Sequence, residues 1–343
     1  MSPAGPVTRL LAPAPAERLA AFRIAVCGYV VVWSLVRLPA HVGHVHQPAG
    51  RWQPVGVLAP LDGPPAAGLV IAVAVATPLL GLVVAAGRRH RVSAPALAAV
   101  VLVVTTLDSS WGQVFHTENL MVLHVVILAL APAAADVWTL RRRPTPTPTS
   151  PPAPAPDGRY GWPLRVAAVV VVVAYALAGV AKLRASGLGW ASGDVLRNLV
   201  AHDNLRKSVL GDQHSAVGAA LVRHGWVFPP LAVGALVVEL GGPVALLRPR
   251  LRVAWAAAAW LFQLGVLLLM AIVFPYQLSG VAFAPFLPLE RIPRLVTGAR
   301  RRLRGWSPWP AGLGEEAVAL RVPGGRGRGG RGSGGRARGA GGG

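Results

Sequence analysis

Lys182 and Glu239 are the two residues of this 343-residue chain whose type and place best suit chemistry. Lys182 closes an apolar run that opens at Trp162, and Glu239 lies inside Val-Val-Glu-Leu-Gly-Gly-Pro. An ionisable side chain at membrane depth is expensive, which makes it a functional-site candidate by default. The choice of lysine adds to this. Of 34 Lys+Arg, only Lys182 and Lys207 are lysines, so plain positive charge is written as arginine. Arginine keeps its proton in a protein, whereas a desolvated lysine releases it, so Lys182 suits a base or a proton relay. The alternative is a lysine at a helix end whose ammonium snorkels to the interface. Glu239 is its natural partner, because the two apolar runs are consecutive. A neutral Glu239 bonded to a neighbouring backbone is the other reading.

Further candidates surround this pair. Tyr175, Gly179 and Lys182 are spaced four and three apart, so they share one helix face. Gly179 allows a neighbouring backbone to come close. Trp190 follows in a Trp-Ala-Ser-Gly turn, and Gln263, in a later apolar run, can bond across helices. His116, Glu118 and Asn119 stand in a polar turn, where they suit a polar substrate group, a proton relay, or a plain helix start with solvated neighbours. The run His41-Val-Gly-His44-Val-His46 invites a metal reading, but without cysteine beside it interfacial histidines explain it, and no metal is expected. His124 reads as a packing residue.

The elements that position these residues are membrane spans. Hydrophobic residues make up 53% of the chain and charged residues 14%, and several apolar runs approach the ~20 residues that cross a bilayer. The fold class is an all-α integral membrane protein. About eight transmembrane helices are expected, near 20–38, 66–87, 93–109, 119–138, 162–183, 225–247, 253–273 and a short one reaching 289, with an amphipathic segment over 184–222. Residues 1–17 read as a disordered N-terminus, 18–290 as the bundle and 291–343 as a basic Gly/Arg-rich disordered tail. Within the bundle, 144–160 is a Pro-rich linker of polyproline character. The first run lacks a small-residue cleavage site and reads as a retained helix. A single cysteine, Cys27, excludes an internal disulfide or a Cys-based redox pair.

The net charge of +21 follows membrane topology. Arginine clusters at 88–91, 141–143, 248–252 and 291–304 fall on one side of eight crossings. By the positive-inside rule that side, with both termini, is cytoplasmic. Lys182, the 108–119 turn and the 184–222 segment then face outward. The tail carries twelve arginines against two glutamates. Its partner is expected to be anionic lipid at the bilayer surface, and nucleic acid is the disfavoured alternative.

Tyr175-Ala-Leu-Ala-Gly179-Val-Ala-Lys182-Leu, followed by Trp190 and Gly193, resembles a signature of vitamin K-dependent gamma-carboxylases and their bacterial relatives, the HTTM (horizontally transferred transmembrane) domain proteins. Glu239-Leu-Gly-Gly-Pro and Phe274-Pro-Tyr look similar to that family's back half. The resemblance implies a base role for Lys182 toward a reduced quinone, menaquinol or vitamin K hydroquinone, and a site open to the outer face. Where the carboxylases have a second lysine, this chain has Ala181, and where they carry a large lumenal domain the sequence reads as a basic tail. The implied activity therefore narrows to quinol chemistry, with glutamate carboxylation as its full form. The arginine-, alanine- and glycine-rich composition suggests a high-GC bacterium and its plasma membrane. A proton-coupled carrier and a non-catalytic assembly subunit remain the alternatives from other classes.

Overall fold

The computed structural model describes residues 11–139 and 154–291, all within one compact unit, Met1–Ile292. The expectations for the first ten residues, for most of the Pro-rich linker and for the Gly/Arg tail lie outside the described residues. What is described is an all-α membrane protein without strands. Six of its helices are long and apolar enough to cross a bilayer.

The helices are α1 Ala16–Gly43, α2 Ala67–Ala85, α3 His90–Asp108, α4 Asn119–Ala129, α5 Gly158–Ser186, α6 Asp194–Val209, α7 Ala216–Leu221, α8 Phe228–Leu247, α9 Arg252–Met270 and α10 Pro275–Leu278. The closest pairings are α1 with α2 and α5 with α8. The bundle has two ends. At one, Arg18 meets Glu290, Arg23 meets Ala134 and Trp138, and Ala14 bridges to Asp157. At the other, His44 meets Asp108, His116 packs on Phe274, and Lys207 meets Met270. Among the described residues the chain passes between these ends eight times, but two passes are not full-length helices.

The span expected over 119–138 is an 11-residue helix continued by a 3-10 turn, Pro132–Ala135. Pro132 cannot supply the helical N–H, so the α-helix stops before it. Buried Arg23 then takes the carbonyls that the broken helix leaves open: its guanidinium donates to Ala134, Val137 and Trp138. Arg23 lies inside α1 and is fully buried. The last expected helix is instead α10 and two 3-10 turns, Val281–Phe286 and Leu289–Arg291, around Pro275, Pro285 and Pro288.

The N-terminal boundary also moves. Residues expected to be disordered up to 17 include Ala14 and Ala16, both buried, and α1 begins at Ala16. The amphipathic segment forms α6 and α7. Its buried face caps the α9 C-terminus, where Asn204 Nδ2 donates to Leu269 O at 2.9 Å, Lys207 Nζ to Met270 O at 2.6 Å and Ser215 Oγ to Leu268 O. Those are carbonyls that a helix end leaves without intrahelical partners.

Candidate functional site

Lys182 and Glu239 are brought together by the packing of α5 on α8. Gly179 makes the approach possible: a Cβ there would stand 2.8 Å from Leu240 Cδ2 and 3.0 Å from Glu239 Cβ. One turn further on, Lys182 Nζ donates to Glu239 Oε1 in an ion pair. The carboxylate is almost fully enclosed, its side chain 3% exposed, whereas the lysine retains 23%. The lysine therefore forms the mouth of the pair and the glutamate its floor.

Trp190 covers the ammonium. Its ring centroid is 5.4 Å from Lys182 Nζ, a cation–π contact, and its Nε1 donates to Ala232 O. The turn that carries Trp190 ends at Gly193, whose φ of +82° favours glycine. A Cβ on Gly193 would also collide with the Phe228 backbone at 2.4 Å. The turn thus clamps the start of α8 against the end of α5.

Below the pair, toward the arginine-rich end, Gln263 Nε2 donates to the Tyr175 hydroxyl at 2.7 Å. Tyr175 packs edge-on against Trp255 and Phe262, and Trp255 packs against Phe283 and Phe286. This aromatic block closes the interior beneath Lys182 and Glu239. Two buried oxygens of the cluster, Glu239 Oε2 and Gln263 Oε1, have no hydrogen-bond partner. Leaving such a group unpaired costs about 1–3 kcal/mol, so the cluster has acceptor capacity to offer.

His116, Glu118 and Asn119 go elsewhere. They line a cavity of about 480 Å³ between α3 and the start of α4, together with Asp108, Leu102 and Leu123. None of the residues bonded to Lys182 or Glu239 lines it. His116 packs its ring on Phe274. Glu118 stands at the N-cap of α4, but its side chain makes no capping bond and takes the Thr117 hydroxyl instead. The sequence candidates thus separate into an intramembrane cluster of Tyr175, Lys182, Trp190, Glu239 and Gln263, and a mouth cluster of His116, Glu118 and Asn119.

Two further polar centres stand outside these clusters, and the pairing in the first was not anticipated. Asp108, at the end of α3, accepts from His44 Nε2 at 2.7 Å and Arg37 Nη2 at 3.4 Å. His41 Nε2 lies 3.2 Å away, near enough for charge attraction but poorly aligned for a hydrogen bond. The histidine run thus has a carboxylate after all, from a helix some 64 residues away. Among the described residues no group of three His, Cys, Asp or Glu could hold a metal ion. The second centre is His124, fully buried, bonded to the Tyr276 hydroxyl at 2.6 Å and Ala167 O at 3.3 Å. It joins α4, α5 and α10, a packing role that its place in an apolar helix already suggests.

No family model, curated protein or solved structure matches this chain.

Proposed function

We propose that this protein is a membrane enzyme of the HTTM type that acts on a lipid-soluble hydroquinone, with Lys182 as the base. The observation that carries the reading is the Lys182–Glu239 pair at membrane depth, floored by a carboxylate oxygen that nothing else satisfies. A hydroquinone of the menaquinol or vitamin K type would supply an acidic hydroxyl and two electrons for oxygen. The residues fit such a molecule. Glu239 Oε2 and Gln263 Oε1 are acceptors in search of O–H donors, and the Trp190 face lies beside the amine. Lys182 first releases its ammonium proton to water at the exposed mouth of the pair, and the free amine then takes the hydroxyl proton. Glu239 Oε1 then holds the resulting ammonium through the bond already present.

The aromatic block of Tyr175, Trp255, Phe283 and Phe286 favours an enzyme over a proton-coupled carrier, because a carrier needs the pair to open toward both ends. The reading places the protein in a bacterial plasma membrane, arginine end inward, with the mouth of the lysine facing out.

The test is oxygen-dependent oxidation of reduced menaquinone or vitamin K by the protein in lipid nanodiscs, normalised to folded protein. Wild type turns over, while Lys182→Met and Lys182→Arg do not, since neither side chain can accept the proton. Full turnover by Lys182→Met overturns the base assignment. Absence of turnover in the wild type overturns the enzyme reading.

A further inference from the structure

The cavity of about 480 Å³ between α3 and the start of α4 has two walls of different chemistry. One wall is polar, and most of its polar groups are already used. Asp108 is taken by His44 and Arg37. Ser109 Oγ donates to Thr105 O and accepts from Phe115 N, and the Thr105 and Thr106 hydroxyls return to carbonyls of their own helix. Three side chains of the lining are left with capacity. Glu118 accepts from the neutral Thr117 hydroxyl, and no cationic side chain among the described residues pairs with its carboxylate. Asn119 makes no side-chain hydrogen bond among the described residues, and His116 makes only its ring contact with Phe274. Glu118 is half-buried, and the other two are exposed at the mouth.

The other wall is apolar. Leu102 on α3 and Leu123 on α4 carry the cavity out to the bundle surface, where they are 36% and 44% exposed. Because α3 is one of the long apolar helices, this surface faces lipid. The cavity thus has a polar head end and a greasy groove that runs from it along two helices. Its volume lies in the range of small-molecule sites. The head end asks for both signs of charge. A carboxylate takes an ammonium in a charge-assisted hydrogen bond, which is stronger than a neutral one. The Asn119 amide and the His116 imidazole can each donate an N–H to an anionic oxygen.

We infer that this cavity holds the headgroup of an aminophospholipid. The ammonium sits on Glu118, the phosphate takes Asn119 and His116, and an acyl chain leaves between α3 and α4 past Leu102 and Leu123. A purely anionic lipid has no group for Glu118 and would set its charge against it. The site is separate from the Lys182 cluster and does not depend on the reading of that cluster.

The full-length protein is purified in detergent, and phosphatidylethanolamine, phosphatidylglycerol or free O-phosphoethanolamine is added. Native mass spectrometry counts adducts and thermal unfolding reads stabilisation. One phosphatidylethanolamine is expected to stay bound and to raise the unfolding midpoint above that in phosphatidylglycerol. Glu118→Gln, which keeps the size of the side chain and removes its charge, binds the two lipids alike. Asp62→Asn, on an exposed acid outside the cavity lining, keeps the preference. Leu123→Trp, which leaves every polar group in place and fills the groove, weakens the phosphatidylethanolamine adduct several-fold. Midpoints without added lipid that match the wild type separate loss of binding from misfolding. Equal retention of both lipids by the wild type would overturn the ammonium site, as would an unchanged preference in Glu118→Gln. Equal stabilisation by O-phosphoethanolamine alone would assign the cavity to a soluble ligand and overturn the lipid.

Discussion

The Lys182–Glu239 pair is asymmetric, and its asymmetry can be measured. Breaking a buried pair by removing one partner costs about 3 kcal/mol or more, because the other charge is stranded. Here the partners differ in their escape routes. The lysine, 23% exposed, can swing its ammonium toward the interface, whereas the glutamate, 3% exposed, cannot move to water. Lys182→Met is therefore expected to lower the unfolding midpoint of the purified protein more than Glu239→Leu. The double variant recovers most of the loss, since an apolar pair of similar volume strands nothing. Equal losses that simply add would show that the two residues do not interact. This pairing was legible in the sequence, because both residues interrupt consecutive apolar runs and Gly179 marks the close approach between them. Asp108 with His41 and His44 was not, because a helix-terminal acid and a loop histidine carry no mutual signal across a long separation. His116, Glu118 and Asn119 were located correctly at the mouth of a helix, but local spacing cannot say which cavity that mouth serves.

Elements that look secondary in the sequence hold the long helices in place. The mixed-charge stretch after Trp190 reads as interfacial, and its two helices cap α9. Asn204 is the joint: its Nδ2 donates to Leu269 O and to Val200 O, and its Oδ1 accepts from Ser215 N at 2.6 Å. Asn204→Ala strands buried backbone groups and should cost about 1–3 kcal/mol. Asp212→Ala, on an exposed residue of the same segment, should leave the melting curve unchanged. At the other end, the last proline-broken segment is latched by Glu290 on Arg18. The Arg18 guanidinium holds the Glu290 carboxyl below its ordinary 4.5, so the latch contributes fully above that pH. It weakens as the pH falls through the lower, folded value. Limited proteolysis near Arg291 should accelerate on acidification below pH 4.5, and Glu290→Gln should be cleaved readily at every pH. A wild-type rate that does not change with pH would remove the latch. Prolines 132, 275, 285 and 288 were visible from the start, yet the hydropathy around Pro132 suggested an ordinary span and that around Pro285 and Pro288 a short helix. How a broken helix finds partners for its carbonyls depends on residues such as Arg23, which only the tertiary fold supplies.

At the scale of the whole molecule, the two ends of the bundle differ in chemistry. Arginine clusters gather where α2 meets α3 and where α8 meets α9, and the Lys182 mouth, the histidine–Asp108 centre and the α6–α7 cap gather at the other end. The alternation of apolar runs with arginine clusters made this polarity legible without any contact information, since each crossing reverses sides. The bias of arginine toward the cytoplasm predicts which end faces inward. The orientation can be read with cysteine labelling, because the one native cysteine, Cys27, is fully buried and should remain silent. Leu188, 86% exposed in the turn before Trp190, reports on the lysine end. Arg250, exposed between α8 and α9, reports on the other. In intact cells a membrane-impermeant maleimide should label Leu188→Cys at once and Arg250→Cys only after permeabilisation. The reverse pattern would turn the bundle over. The exposed side of the Lys182–Glu239 pair would then face the cytoplasm. Labelling of both variants from one side would contradict the separation of the two ends, and with it the eight passes from which the placement of Lys182 was derived.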